Sequence, residues 1–166
     1  MLVDHWKAWV RQNHAHEKTV VDKDKTRLGS DAVISHFFHR GSNEVSADNM
    51  CRSLIHQLLE QIPRLQSVLD IWTAANLEQG EWPSDLLKSI FRSAVLRLEN
   101  DTLTCYVDAL DECDDNEASG IVEYFEDLMD STVSENIQFF LCFSSRHYPH
   151  ITMVKCQDII LEHQDG

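Results

Sequence analysis

Apolar and polar positions alternate along this chain in two different periods, and the periods change over in a regular order. Val33-Ile34-Ser35-His36-Phe37-Phe38 is a β-branched and aromatic run that predicts a strand ending before Arg40-Gly41-Ser42-Asn43. From Ser46 the period becomes helical. Met50, Cys51, Leu54, Ile55, Leu58 and Leu59 form one apolar face, and Pro63 stops that helix and opens a second segment through Leu65, Val68, Leu69 and Trp72. After the Gly80–Pro83 break, Ser84 is expected to cap a further helix with the stripe Leu86, Leu87, Ile90, Phe91, Ala94, Val95 and Leu98. Leu103 to Val107 predicts a strand running into carboxylates, and Ile121, Val122, Phe125, Leu128 and Met129 mark the helix after it. Ile137–Phe143 is almost wholly apolar and predicts a strand buried on both faces. Asp158–Leu161 reads as a last short strand. Upstream, Leu2, Trp6, Trp9 and Val10 follow helical spacing and residues 13–32 read as a polar loop.

Strands alternating with helices predict an α/β fold: a parallel sheet with helices on its faces, in three layers, joined by right-handed crossovers. The division expected is an N-terminal helix and polar loop over 1–32, and an α/β core over 33–166. Ligands of such sheets bind beyond the carboxyl ends of the strands. Asp108–Glu112 and Ser144–Arg146 both fall at such ends, which is the reason to place them in one site.

Composition narrows the function. With 166 residues and 43% hydrophobic content the chain buries a real core as one domain. A formal charge of −14 argues against a nucleic-acid partner, since phosphate neutralisation needs clustered Lys and Arg. Cys51, Cys105, Cys113, Cys142 and Cys156 are odd in number and have no C-x-x-C spacing, which points to a reducing, cytoplasmic setting. No apolar run suggests a membrane span.

The candidate chemistry lies at the two strand ends. A buried parallel strand ending in carboxylates is how phosphate-loop nucleotide hydrolases hold Mg²⁺ beside a triphosphate. On this reading Asp108 holds Mg²⁺ through a water, Ala109 leaves room for close approach, and Asp111 and Glu112 orient or deprotonate the attacking water. Arg146 would meet the terminal phosphate. Yet no G-x-x-x-x-G-K-S/T phosphate loop occurs in the sequence. Other metal readings fit less well. The run Asp111–Glu117 lacks the order of a calcium loop, and His14, His16, His147, His150 and Cys113 lack zinc spacing. The bland alternative is that these acids are helix caps and solvated loop residues.

Cys105-Tyr106-Val107-Asp108-Ala109-Leu110-Asp111-Glu112-Cys113 resembles the Walker B segment of NACHT-type signal-transduction NTPases, most closely the fungal group with nephrocystin-type NACHT modules. Phe143-Ser144-Ser145-Arg146-His147-Tyr148-Pro149 resembles the sensor segment of the same group. Ile34–Phe38 and Cys51–Leu59 resemble the strand and helix lying between phosphate loop and Walker B. The resemblance implies an intracellular ATP- or GTP-driven switch with Mg²⁺ as cofactor, in which Asp108 is the Mg²⁺ aspartate, Asp111 and Glu112 are the acidic catalytic positions and Arg146 is the phosphate sensor. It also implies that the first strand and phosphate loop of the P-loop core are missing, that the chain neither binds nor hydrolyses nucleotide alone, and that strand 137–143 becomes an apolar edge. Self-association, or closure of the gap by Asp158–Leu161, is then expected. Two alternatives stand beside this: a working hydrolase completed by a phosphate loop from elsewhere, and an interaction module that pairs with NACHT or NLR-like proteins.

Overall fold

The structure, a computed structural model, describes residues 31–39, 46–70 and 82–145. Three strands form a parallel sheet in the order of the chain: β1 (Ala32–Phe37), β2 (Leu103–Asp108) and β3 (Phe139–Phe143). The register pairs Ala32 with Leu103 and Phe37 with Asp108 on one side of β2, and Leu103 with Phe139 and Val107 with Phe143 on the other. Helices α1 (Ala47–Gln61) and α2 (Ser84–Val95) join β1 to β2, and α3 (Asp115–Ser134) joins β2 to β3. The α/β fold with a parallel sheet is therefore as the apolar periods predict.

The local causes are readable residue by residue. Ser46 caps α1, its hydroxyl accepting from the Asn49 amide at 3.2 Å, and all six apolar residues expected on that face are buried. Pro63 ends the helix and starts a short 3-10 turn over Pro63–Gln66. Asp114 caps α3 by accepting from the Glu117 amide. One expectation fails here. Ser84 is the first residue of α2 and not its cap; Pro83 takes that position without a side-chain bond, and its carbonyl accepts from the Leu86 and Leu87 amides. Proline fixes the entry angle, so no hydroxyl is required there.

Both crossovers step across the sheet in the same direction, so right-handed connections put their helices on one face. That face presents Ala32, Ile34, Phe38, Leu103, Cys105, Val107 and Phe139, packed with Leu54, Leu58, Ile90, Phe91 and Phe125 in a single core. The alternate positions Val33, Thr104, Tyr106 and Asp108 point to the other face, and they too are buried. Both faces of the sheet are thus buried along β1 and β2.

β3 departs from the expectation of burial on both faces. Phe139 is buried, but Phe140 is 41% exposed and residues 141–143 are only half-buried. Among the described residues β3 has one neighbouring strand, and a strand with one neighbour leaves part of its side-chain surface uncovered. The other border is closed differently. Gln57 and Gln61, one turn apart on α1, each place a side-chain amide against the outer side of β1. Gln61 accepts from the Val33 amide at 3.0 Å and donates to the Val33 carbonyl at 2.8 Å; Gln57 does the same for Ser35 at 3.0 and 2.7 Å. A primary amide carries the donor and acceptor that a missing strand would have offered.

The expected helix around Trp6 and Trp9, the loop 13–30, and the strand Asp158–Leu161 lie outside the described residues.

Candidate functional site

The site is built on the central strand. β2 is buried along all six residues, which only a strand enclosed on both faces achieves. Asp108 is its last residue and is 5% exposed. A carboxylate so placed needs hydrogen bonds to offset lost hydration. Its Oδ1 accepts from the Ala109 amide at 2.8 Å and from the Ser144 hydroxyl. Its backbone carbonyl accepts from the Phe38 amide at 3.1 Å, so the ends of β1 and β2 are tied together.

After Asp108 the chain turns sharply. Ala109 has φ 56° and ψ 42°, the left-handed region that alanine seldom enters. The turn carries Leu110–Glu112 through a single 3-10 turn, anchored by buried Leu110, while Asp111 and Glu112 are half-buried at its rim. The Glu112 Oε2 atom is shut off from solvent.

The sequence reading grouped Asp108–Glu112 with Ser144–Arg146, and the structure brings the first of these pairs together. Ser144 lies one step past the Val107–Phe143 pairing, which sets it opposite Asp108. Its amide donates to the Val107 carbonyl at 2.9 Å and its carbonyl accepts from the Leu110 amide at 3.1 Å. Arg146 lies outside the described residues. The rest of the acidic run divides by role. Asp114 caps α3, Asp115 is exposed in its first turn, and Glu117 accepts from the Ala47 amide at 2.7 Å, capping α1. Asp114 and Glu117 are thus helix-cap acids, whereas buried Asp108 caps no helix, against the bland alternative for that residue.

Sequence reasoning put Ser144 at the site by its strand end but gave it no role; what it missed is the bond from the Ser144 hydroxyl to Asp108. It became legible only once β2 and β3 were known to be neighbours in this register. The thiols near the site are held in their protonated form. Burial pushes Cys142 up to about 12, with the Asp108 charge as a second cause, and burial followed by the charges of Glu117, Asp114, Asp111 and Glu112 pushes Cys113 to about 12. Neither is an activated nucleophile. Among the described residues no three His, Cys, Asp or Glu side chains gather as a metal-ligating set, and no helix is long and apolar enough to cross a membrane.

In open parallel α/β sheets ligands bind beyond the carboxyl ends of the strands, which is where Asp108 lies in this one. The family model for nephrocystin 3, N-terminal, matches residues 16–146, a span that holds β1 to β3 and both strand-end segments, and the chain belongs to that family. No curated protein and no solved structure matches it.

Proposed function

We propose that this domain is part of a NACHT-type nucleotide-dependent signalling switch and contributes the magnesium-facing and acidic half of the nucleotide site. The observation that carries the reading is the buried Asp108 carboxylate, set at the end of the central parallel strand against the segment that leads to Arg146. The donors fit the ion. Carboxylate oxygens are hard ligands, and Mg²⁺ keeps most of its own water, so one carboxylate with acidic neighbours at the rim suffices. When bound, Mg²⁺ supplies positive charge that neutralises the phosphates. Asp108 would hold one of the waters of the ion, Asp111 and Glu112 would orient the attacking water or accept its proton, and Arg146 would face the terminal phosphate.

The 166 residues contain no G-x-x-x-x-G-K-S/T run. A triphosphate is gripped mainly by the backbone amides and lysine of that loop, so this chain by itself has no useful nucleotide affinity and no hydrolase activity. Titration with fluorescent ATP and GTP analogues, with and without Mg²⁺, tests this. No saturable binding is expected; micromolar affinity that vanishes on Asp108→Ala overturns it and favours the alternative of a working hydrolase, whose phosphate loop would otherwise have to come from a partner or from sequence outside these 166 residues.

A second reading, an interaction module that works by strand addition, is favoured by β3. Its Phe140 is one of two large exposed apolar residues among those described, the other being Val133 at 74%. The occupant proposed is a second copy pairing along β3. Sedimentation velocity over a hundredfold range of concentration decides it: a dimer that Phe140→Lys abolishes supports the reading, and a monomer throughout removes it.

A further inference from the structure

Ser144 is held at three of its atoms by three residues of the run Val107–Leu110. Its amide bonds to Val107, its carbonyl to Leu110, and its hydroxyl to Asp108, while Ala109 supplies the second bond to the same carboxylate oxygen. The three backbone and side-chain ties do different things. The amide bond continues the β2–β3 ladder one step past Phe143, the carbonyl bond ties that end to the turn at Leu110, and both would form with any residue but proline at 144. The hydroxyl bond depends on the side chain, and it points to the one buried carboxylate of the strand end.

We propose that Ser144 is the positioning residue of Asp108: its hydroxyl, with the Ala109 amide, fixes one carboxylate oxygen and so selects a single side-chain rotamer. The proposal rests on the reading of Asp108 as the metal-facing carboxylate and adds to it the device that orients that group. Two donors converge on Oδ1 from opposite segments, one from the turn after β2 and one from the end of β3. A carboxylate held by one oxygen at two points loses its freedom about the Cα–Cβ bond. Partners that orient a metal-facing carboxylate in this way act through it and touch neither ion nor substrate. Because Ser144 precedes Arg146 by two residues in the sequence, the same bond links the orientation of Asp108 to the end of β3, which leads into Arg146.

Side-chain three-bond couplings from the backbone nitrogen and carbonyl of Asp108 to its Cγ read the rotamer directly, in the protein as it stands. Wild type is expected to show one χ1 value, Ser144→Ala rotamer averaging, and Ser144→Thr, which keeps the hydroxyl, a return to one value. Amide exchange at Leu110 serves as the control, because its bond to the carbonyl of residue 144 should persist in all three proteins. Mn²⁺ alone, followed through paramagnetic broadening of signals near Asp108, reads the metal side. Broadening should require Asp108, being lost in Asp108→Asn, and its midpoint should rise on the order of tenfold in Ser144→Ala and recover in Ser144→Thr. A single χ1 in Ser144→Ala, with Leu110 exchange unchanged, overturns the positioning role even if Mn²⁺ still binds at Asp108. Absence of Asp108-dependent broadening in wild type overturns the metal reading instead, and with it the use proposed for the oriented carboxylate.

Discussion

At position 109 an alanine occupies backbone that suits glycine, and at position 120 a glycine occupies backbone that suits alanine. Ala109 is left-handed, with φ 56°, whereas Gly120 lies inside α3 with open space where a Cβ would stand. Both exchanges are therefore expected to stabilise the fold. Gly120→Ala should add about 0.5–1 kcal/mol by removing unfolded-chain entropy and improving helix propensity. Ala109→Gly relieves about 1–2 kcal/mol of left-handed cost but frees the unfolded chain, for a net gain of roughly 0.5 kcal/mol. Urea midpoints of the two variants check this, and a loss of stability in either contradicts the backbone assignment. His36 carries the other residue-scale expectation. Burial beside the edge-on Phe38 ring lowers its pKa to about 4 from an ordinary 6.5. Between those values the unfolded chain takes up the proton and the folded chain resists it, so stability falls as pH drops from 6.5 towards 4 and is unaffected by this group above 6.5. For a half-buried ring the loss is about 2 kcal/mol after allowance for solvent screening. His36→Gln should flatten that part of the stability–pH curve, measured by urea unfolding at half-unit steps.

At the scale of elements, what could be read from sequence was whatever a single element settles for itself. The start of α1 at Ser46, its end before Pro63 and its six buried apolar positions depend on the period and caps of that helix alone. The start of α2 was misassigned because Ser84 and Pro83 both carry helix-start signals, and the fixed φ of proline decided between them. Gln57 and Gln61 were unreadable for a different reason. On a helix they look like solvated polar positions, and their role exists only because β1 is a border strand lying beside them. The expected result is specific: in Gln57→Ala/Gln61→Ala the Val33 and Ser35 amides exchange at least tenfold faster, while Ile34 and His36, whose amides face β2, are unchanged. Hydrogen exchange by NMR separates the four residues. Equal acceleration at all of them would mean that β1 as a whole had loosened and that the amides close nothing.

For the whole molecule, the order of strands and helices was legible, and so was the meeting of two strand ends, because parallel α/β topology leaves few choices. The exposure of β3 was legible only through the family resemblance, which implied an apolar edge; its apolar run alone reads as burial on both faces, since such a run shows how much burial a strand tolerates and not how many neighbours it has. One core joins all the described elements. Phe125 sits in its middle, with ring contacts to Phe91 on α2, Tyr124 on its own helix and Phe143 on β3. Phe125→Ala should cost about 3–5 kcal/mol. Unfolding should remain one transition, with far-ultraviolet circular dichroism and near-ultraviolet absorbance giving coincident curves; separated midpoints would show that β3 and α3 melt apart from β1 and α1.

The paired glutamine side chains give the molecule a direction of growth. Among the described residues no such clamp lies along Phe139–Phe143, where a guest segment, whether donated by nature or grafted by an engineer, would join. Approach from the Val33 flank first demands that two amides be prised off, and with them the last turns of a helix.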